Sequence, residues 1–166
     1  MQKNDLIEQL YLSQALEHTP LKIIPQNLSF RPDLLYSLAK AFAPIISSLH
    51  YDFLYPTDIF SIPLATHLSL SYNIPLFIRP STDSFMSPGQ TALLLDTSSL
   101  AFHACSEELI HHGIFISDVL ILLGNTPKKT EITQKAKITI HNLWDIKTLE
   151  NDLNTILQQN SYSKIH

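Results

Sequence analysis

The feature that most constrains the fold is an alternation, beginning at Tyr51, of short apolar runs with amphipathic stretches of helical length. Short apolar runs predict strands that are buried on both faces, and the amphipathic stretches between them predict helices. Strands that alternate with helices are typical of a parallel sheet whose crossover helices pack on its faces. The sequence therefore predicts an α/β fold with a single domain, in which helices flank a parallel sheet of four to five strands.

The same patterns locate the individual elements. The predicted strands cover residues 51–55, 76–79, 92–96, 117–123 and 137–140. The predicted helices cover residues 5–17, a segment that begins near Pro32, and residues 59–72, 101–112 and 143–158. Pro44 should kink the second helix and Gly113 should end the fourth. Residues 20–30 predict a loop with one short strand at 21–24. Residues 1–160 should form the domain, followed by a disordered tail at 161–166.

Composition indicates a folded protein without an electrostatic affinity for nucleic acids. Hydrophobic residues make up 45% of the chain and charged residues only 16%, a composition too apolar for a disordered protein. The formal net charge is −4, and the eleven Lys and Arg residues are scattered apart from the pair Lys128-Lys129. Without a basic surface we expect no nucleic-acid partner.

Cysteine usage and hydropathy indicate a reducing compartment. Cys105 is the single cysteine, so no intramolecular disulfide can form, and no Cys/His spacing suits a zinc site. The N-terminal segment lacks the apolar core of a signal peptide, and no stretch approaches the roughly 18 uninterrupted apolar residues of a membrane span. We therefore expect a cytoplasmic protein that has no membrane partner.

Glycine is scarce, and this excludes two nucleotide-binding motifs. The chain has ten prolines but only three glycines, at Gly89, Gly113 and Gly124. Glycine-rich phosphate-binding loops need closely spaced glycines so that backbone N–H groups can approach the anion. A P-loop and a Rossmann fingerprint are therefore excluded.

Residues 51–79 carry a series of motifs in a characteristic order and read YDFLYPTDIFSIPLATHLSLSYNIPLFIR. Asp52 lies in the first strand, residues 62–66 begin a helix, Ile74-Pro75 follows, and Arg79 ends the second strand. This arrangement resembles orotate phosphoribosyltransferases, in which an acidic strand precedes a helix reading like ALPIAT, then IP and a strand that ends in Arg. Order and spacing agree without an insertion.

The similarity continues on both sides of this segment. Pro88-Gly89 matches a family turn, residues 92–96 hold the place of the strand that binds phosphoribosyl pyrophosphate (PRPP), and residues 113–123 resemble a later strand. Residues 10–16 and 31–35 are similar to the phosphoribosyltransferase domain of eukaryotic-type UMP synthase. The resemblance implies a type I phosphoribosyltransferase fold and a homodimer. It also implies formation of orotidine 5′-monophosphate from orotate and PRPP, with Mg²⁺, in pyrimidine biosynthesis. After residue 123 the similarity is weak.

The chain departs from the family pattern in three segments that bind ligands. The PRPP motif reads LLLDTSSLAFHA, with Asp96 and Thr97 in the two acidic places, no glycine, and roughly three residues too few before Gly113. Between Arg79 and Pro88 the family's mobile loop is roughly ten residues too short and has no Lys or His. The orotate-binding hairpin should lie within residues 16–31, where we predict a third deletion. These departures predict loss of catalysis.

If ligand binding is retained, the resemblance assigns it to a small set of residues. Asp96, Thr97, Ser98 and Ser99 would hold PRPP, Arg79 would face pyrophosphate, and Lys22 would reach orotate. No catalytic residue and no metal ligand is assigned.

The candidate carboxylates and the cysteine also have structural interpretations. Asp96, with one of the three residues after it, is favoured as a cap of the next helix. Asp52 is interpreted as an ordinary carboxylate at a strand start, Asp118 as a carboxylate of an edge or turn, and Cys105 as a buried small hydrophobic residue.

Two functional hypotheses remain. The first is a divergent orotate phosphoribosyltransferase-like protein that is catalytically impaired or inactive and acts as a nucleotide- or phosphate-binding or protein-interaction homologue. The second is an active orotate phosphoribosyltransferase. Ribosyl transfer from PRPP needs positive charge on the departing pyrophosphate and normally Mg²⁺. The missing loop lysines therefore favour the first hypothesis.

Overall fold

The computed structural model describes residues 3–78, 86–97, 101–124, 128–132 and 137–162. The described strands are β1 (Leu16–His18), β2 (Leu21–Ile23), β3 (Phe53–Pro56), β4 (Thr91–Asp96), β5 (Phe115–Gly124), β6 (Lys128–Ile132) and β7 (Lys137–Asp145). The described helices are α1 (Lys3–Leu12), α2 (Pro25–Ser29), α3 (Pro32–Ile46), α4 (Ile62–Tyr72), α5 (Phe102–His111) and α6 (Ile146–Tyr162).

The central sheet has the strand order β3-β4-β5-β7-β6. Strands β3, β4, β5 and β7 pair in parallel, and α4 and α5 connect the first three of them. The predicted parallel α/β sheet is therefore confirmed. The outermost strand, β6, pairs antiparallel with β7. The sequence did not predict this strand, because residues 128–132 read as an isolated basic pair rather than as an apolar run.

Helices cover both faces of the sheet, which explains why its central strands are apolar at nearly every position. In β4, Leu93 and Leu95 belong to one buried cluster, while Ala92 and Leu94 belong to a second. The first cluster includes buried residues of α1, α3, α4 and α6, and the second includes those of α5. Alternate residues of one strand thus enter two separate cores.

The N-terminal region corrects two predictions. The first helix ends at Leu12 instead of residue 17, and Gln14 just beyond it takes a left-handed backbone conformation with φ of 59°. The segment predicted as a loop after a deletion forms an antiparallel hairpin, in which Leu16 of β1 pairs with Ile23 of β2. The predicted short strand at 21–24 is confirmed as β2. The segment predicted as a loop thus contains two short paired strands, and the deletion predicted within it stays a prediction.

The predicted strand at residues 76–79 is only partly present. Leu76 forms a single parallel bridge with Leu54, and the backbone N–H of Phe77 donates to the Leu54 carbonyl at 3.0 Å. The segment therefore lies along the outer side of β3 without forming a longer ladder in the described residues. Arg79, at its end, lies outside the described residues.

The C-terminal helix begins at Ile146, three residues later than predicted, because β7 continues to Asp145. Trp144 at the end of that strand is buried, as are Leu149 and Leu153 of α6. The helix runs to Tyr162, and the rest of the predicted disordered tail lies outside the described residues. None of the described helices is long and apolar enough to cross a membrane.

Candidate functional site at the carboxyl end of the sheet

Strands β3 and β4 end side by side, and the residues at this point form the candidate site. Open α/β sheets bind their ligands outside the carboxyl ends of parallel strands. We call the group of Thr57, Asp58, Asp96 and Thr97 the carboxyl end of the sheet. Its members come from the last residue of β4 and from the turns that follow the two strands.

Asp96 is fully buried and holds the start of α5. One oxygen of its carboxylate, Oδ2, accepts the backbone N–H groups of Ala101 at 3.1 Å and Phe102 at 2.8 Å. Ala101 is the N-cap residue of α5 and makes no capping hydrogen bond through its own side chain. The carboxylate of Asp96 therefore performs the capping role, in agreement with the favoured structural interpretation of this residue.

This cap matters chemically because the first N–H groups of a helix are an anion-binding site. Their unpaired hydrogens and the helix dipole both attract negative charge. At α5 two of those N–H groups, on Ala101 and Phe102, already donate to a carboxylate of the same chain. An incoming phosphate at this point would compete with Asp96 for them and would meet a like charge.

Asp58 joins the turn after β3 to the turn after β4. Its Oδ1 atom accepts the N–H groups of Phe60 at 2.7 Å and Ser61 at 2.8 Å, which shapes the entry into α4. The hydroxyl of Thr97 donates to Oδ2 of Asp58 at 3.2 Å. Sequence analysis missed Asp58, which lies three residues after the predicted strand at 51–55, whereas Asp96 is the last residue of its predicted strand.

Thr57 completes the contacts between the two strands. Its N–H and its hydroxyl donate to the Leu95 carbonyl at 3.0 and 3.2 Å. The thiol of Cys105 on α5 donates to the Thr57 carbonyl at 3.4 Å. Cys105 is buried, as predicted, and belongs to the second buried cluster. Its contact with Thr57 therefore joins that cluster to the candidate site.

The structure does not bring all the predicted ligand-binding residues together. Asp96 and Thr97 lie at the carboxyl end of the sheet. Lys22 lies on the β1–β2 hairpin, where its ammonium group forms an ion pair with Glu17 at 2.8 Å. Arg79, Ser98 and Ser99 lie outside the described residues, and their predicted roles stay predictions.

Two other aspartates lie away from this site. Asp52 precedes β3, and its Oδ2 atom accepts the N–H of Thr91 at 2.7 Å, which is the structural role predicted for it. Asp118 lies within the central strand β5 and contacts Nε2 of His141 at 2.6 Å across the sheet. The prediction that Asp118 belongs to an edge or turn is therefore wrong. Asp118 was placed within the predicted strand at 117–123, but the sequence did not reveal that this strand lies in the middle of the sheet.

The described residues do not form a protein-only metal site. Mg²⁺ prefers several oxygen ligands in octahedral geometry. In the part of the chain that the structure describes, no three His, Cys, Asp or Glu side chains gather in a way that could hold a metal ion. Asp58 and Asp96 use their oxygens for backbone N–H groups instead. We assign no residue to Mg²⁺.

Comparison with known proteins agrees with the geometry. No protein-family model matches this chain. An orotate phosphoribosyltransferase of Chlamydia pneumoniae is 23% identical over 148 residues, which cover 80% of this chain and 70% of that protein. The structure of Leishmania donovani UMP synthase superposes with a TM-score of 0.73 and 14% identity over 96% of this chain. The chain has an orotate phosphoribosyltransferase-like fold. It spans only 43% of the Leishmania protein.

Two orotate phosphoribosyltransferases superpose on this chain over almost their whole length. An orotate phosphoribosyltransferase from Aeropyrum pernix has a TM-score of 0.65 at 15% identity, over 90% of this chain and 98% of that one. A Mycobacterium tuberculosis orotate phosphoribosyltransferase in complex with PRPP has a TM-score of 0.62 at 10% identity, over 88% and 97%. These superpositions establish the type I phosphoribosyltransferase fold, and at identities this low they do not transfer an activity.

Proposed function

We propose that this orotate phosphoribosyltransferase-like protein does not transfer phosphoribose, and that it acts as a nucleotide- or phosphate-binding or protein-interaction homologue. The observation that supports this proposal most directly is the bond from Ala101 and Phe102 to the carboxylate of Asp96. An enzyme that binds the phosphate of PRPP needs backbone N–H groups, at the start of a helix or in a turn, that are available to donate to it. Here Asp96 occupies two of the amides that α5 offers.

The sequence beside the site supports the same proposal. Charge on the departing pyrophosphate must be neutralised, and electrostatic stabilisation of this kind supplies several kcal/mol of a reaction barrier. Between Arg79 and Pro88 the chain carries one carboxylate, Asp83, and no lysine or histidine. Lys22, the candidate for orotate, is paired with Glu17. The chain therefore offers few positive side chains that could neutralise the charge of the departing pyrophosphate.

A second candidate, an active orotate phosphoribosyltransferase, is favoured by one observation. The hairpin β1–β2 forms in the segment where the resemblance places the orotate-binding hairpin, and it carries Lys22. In this alternative Lys22 would leave Glu17 and bind orotate, Asp96 and Thr97 would bind PRPP, and Mg²⁺ would act with the substrate. Both proposals share a fold, so activity must separate them.

A transfer assay with a binding measurement separates the two candidates. Orotate consumption is followed by absorbance with PRPP and Mg²⁺, and calorimetry measures binding of PRPP, orotate and orotidine 5′-monophosphate. We expect no transfer and weak binding of PRPP. Turnover near the median enzyme rate of about 10 per second would replace the first proposal with the second.

Asp96→Asn sharpens the result, because the amide oxygen can still accept an N–H while the charge is removed. If Asp96 binds the ribose of PRPP in an active enzyme, this variant loses PRPP affinity and activity together. In the proposed protein the variant changes the free energy of unfolding more than it changes PRPP binding. Asp145→Asn is a matched control, since Asp145 caps α6 by accepting the Thr148 N–H at 3.1 Å.

Assembly and cellular setting are further proposals. We propose a homodimer, supported by large apolar side chains that are exposed on two contacting helices, Tyr36 on α3 and Leu70 on α4. Light scattering after size exclusion tests it, and a monomer at micromolar concentration would contradict it. We also propose a cytoplasmic setting, supported by the presence of a single cysteine in the chain, with which no intramolecular disulfide can form.

A further inference from the structure

A cavity of about 550 Å³ lies at the opposite end of the sheet, where β3 and β4 begin. We call this region, represented by Tyr51, Asp52 and Thr91, the amino end of the sheet. The cavity is also lined by residues at the ends of α3 and α4. It shares no lining residue with the carboxyl end of the sheet, so it is separate from the candidate phosphoribosyltransferase site.

The lining combines an apolar base with a polar rim. Ile46 and Ile74 are buried, Tyr51 is half-buried, and Asp52 and Asn73 are exposed. Burial raises the pKa of the Tyr51 phenol, so this group is neutral at physiological pH. The cavity is open to solvent and its lining is mainly polar, so polar groups would fix the orientation of a small ligand there.

The charges around the cavity favour a cation. Asp52 brings a carboxylate, and no lysine or arginine is among the described residues that line the cavity. Helix α3 ends at Ile46 and helix α4 at Tyr72, so both present the negative ends of their dipoles here. His50, the remaining titratable lining group, is exposed at the rim.

The Asp52 carboxylate is positioned by one hydrogen bond from Thr91, and the backbone of Asp52 makes a second hydrogen bond to the same residue. The Asp52 N–H donates to the Thr91 carbonyl at 2.8 Å, and Asp52 Oδ2 accepts the Thr91 N–H at 2.7 Å. This pair joins the start of β3 to the start of β4. A ligand would therefore meet a pre-positioned anionic group and would not need to order it.

We propose that this cavity binds a small organic cation, consisting of an ammonium group on an apolar body. The ammonium group contacts Asp52 and the negative helix ends, and the apolar body packs on Ile46, Ile74 and the Tyr51 ring. An aromatic face and a carboxylate both attract an ammonium group. Phosphates and other anions are disfavoured at the same place.

The test uses benzylamine, which is an ammonium ion at neutral pH, and benzyl alcohol as its neutral analogue of similar shape. Binding is followed by NMR on the full chain, through the signals of His50, Tyr51 and Asn73. We expect saturable shifts with benzylamine and an affinity at least about tenfold above that for benzyl alcohol, since a single charge contact of about 1.4 kcal/mol gives that ratio.

Asp52→Asn removes the charge and keeps an oxygen that can accept the Thr91 N–H. This variant should bind benzylamine about tenfold more weakly and benzyl alcohol equally well. Asp145→Asn, which neutralises the carboxylate that caps α6, should leave both affinities unchanged. The proposal is overturned if benzylamine up to about 10 mM gives no saturable shift at these residues, or if benzyl alcohol binds equally well. It is also overturned if both variants lose affinity alike.

Discussion

The two ends of the parallel sheet each carry an aspartate that accepts backbone N–H groups, yet their electrostatic surroundings are opposite. At the carboxyl end, Asp96 accepts N–H groups from the start of α5, where the helix dipole is positive. At the amino end, Asp52 accepts an N–H of Thr91 close to the ends of α3 and α4, where the dipoles are negative. The same side chain therefore neutralises the field at one end and adds to it at the other.

This difference follows from the fold itself. In a βαβ unit each crossover helix begins near the carboxyl ends of the strands and returns to their amino ends, so all helix dipoles point the same way. The carboxyl end suits anions unless the chain supplies its own, which Asp96 does. The amino end suits cations, and Asp52 strengthens that preference. A hydrogen-bonded carboxylate therefore does not by itself indicate which charge an end of the sheet prefers in a ligand. The direction of the nearby helix dipoles must be considered as well.

The largest change in the free energy of unfolding is expected from Asp96→Ala. The change leaves the N–H groups of Ala101 and Phe102 without their acceptor at a buried position, and should lower the free energy of unfolding by about 3 kcal/mol. Chemical denaturation at neutral pH measures it. A loss below about 0.5 kcal/mol would show that water replaces the carboxylate and that the carboxyl end is open to ligands.

A smaller decrease in the free energy of unfolding is expected from Gly124→Ala at the end of β5. A Cβ atom there would lie 2.1 Å from the side-chain nitrogen of Asn142, so Asn142 must move, at a cost of about 2 kcal/mol. Gly89→Ala is the control before β4, where no atom lies within 4 Å but φ is +93°. The control should cost about 1 kcal/mol through backbone strain alone. Melting temperatures of both variants test the order, and equal losses would contradict close packing at Gly124.

Asp52→Asn and Asp96→Asn together test whether the helix dipoles at the two ends of the sheet have opposite effects on a carboxylate. Both substitutions keep an oxygen acceptor and remove one negative charge. Because α5 presents its positive end to Asp96, Asp96→Asn should destabilise by about 1 kcal/mol. Asp52→Asn should change stability by less than about 0.5 kcal/mol or raise it slightly. Equal destabilisation by the two variants would contradict the opposite-field explanation.

The smallest effect concerns Asp33, an exposed carboxylate in the first turn of α3. A hydrogen bond from Arg31, at 2.7 Å, holds the pKa of Asp33 below its ordinary value. A depressed pKa in the folded state stabilises the fold above the unfolded-state pKa of about 3.9, and this contribution disappears as pH falls through the folded-state pKa. Arg31→Gln should raise the pKa of Asp33 in an NMR titration and scarcely change stability at pH 7. An unchanged pKa would refute the pairing.

The sequence was most informative where packing leaves few alternatives. The strand at residues 92–96 is apolar on both faces, and only a buried central strand satisfies that pattern, so β4 was predicted to within one residue. Gly113 takes φ of +78° just beyond α5, the backbone conformation that its prediction as a helix end requires. These features depend on local geometry and burial, which the chain encodes directly.

The elements and contacts that the sequence did not predict are formed with residues elsewhere in the chain or carry too short a pattern. Strand β6 gains its ladder from β7, so residues 128–132 carry no apolar signature of their own. The hairpin β1–β2 was read as a loop because its strands have only three residues each. At the site, Asp96 was identified, but the link between Thr97 and Asp58 crosses 39 positions and no spacing rule reveals it.

The contact between the first and last described helices bears on how the chain acquires its structure during synthesis. Leu6, Ile7 and Leu10 of α1 share a core with Leu149 and Leu153 of α6. A ribosome makes α1 first among the described elements and α6 last, so the part of α1 that packs on α6 stays uncovered until almost all of the described chain has emerged. Chaperone binding to stalled nascent chains should therefore persist until α6 leaves the exit tunnel.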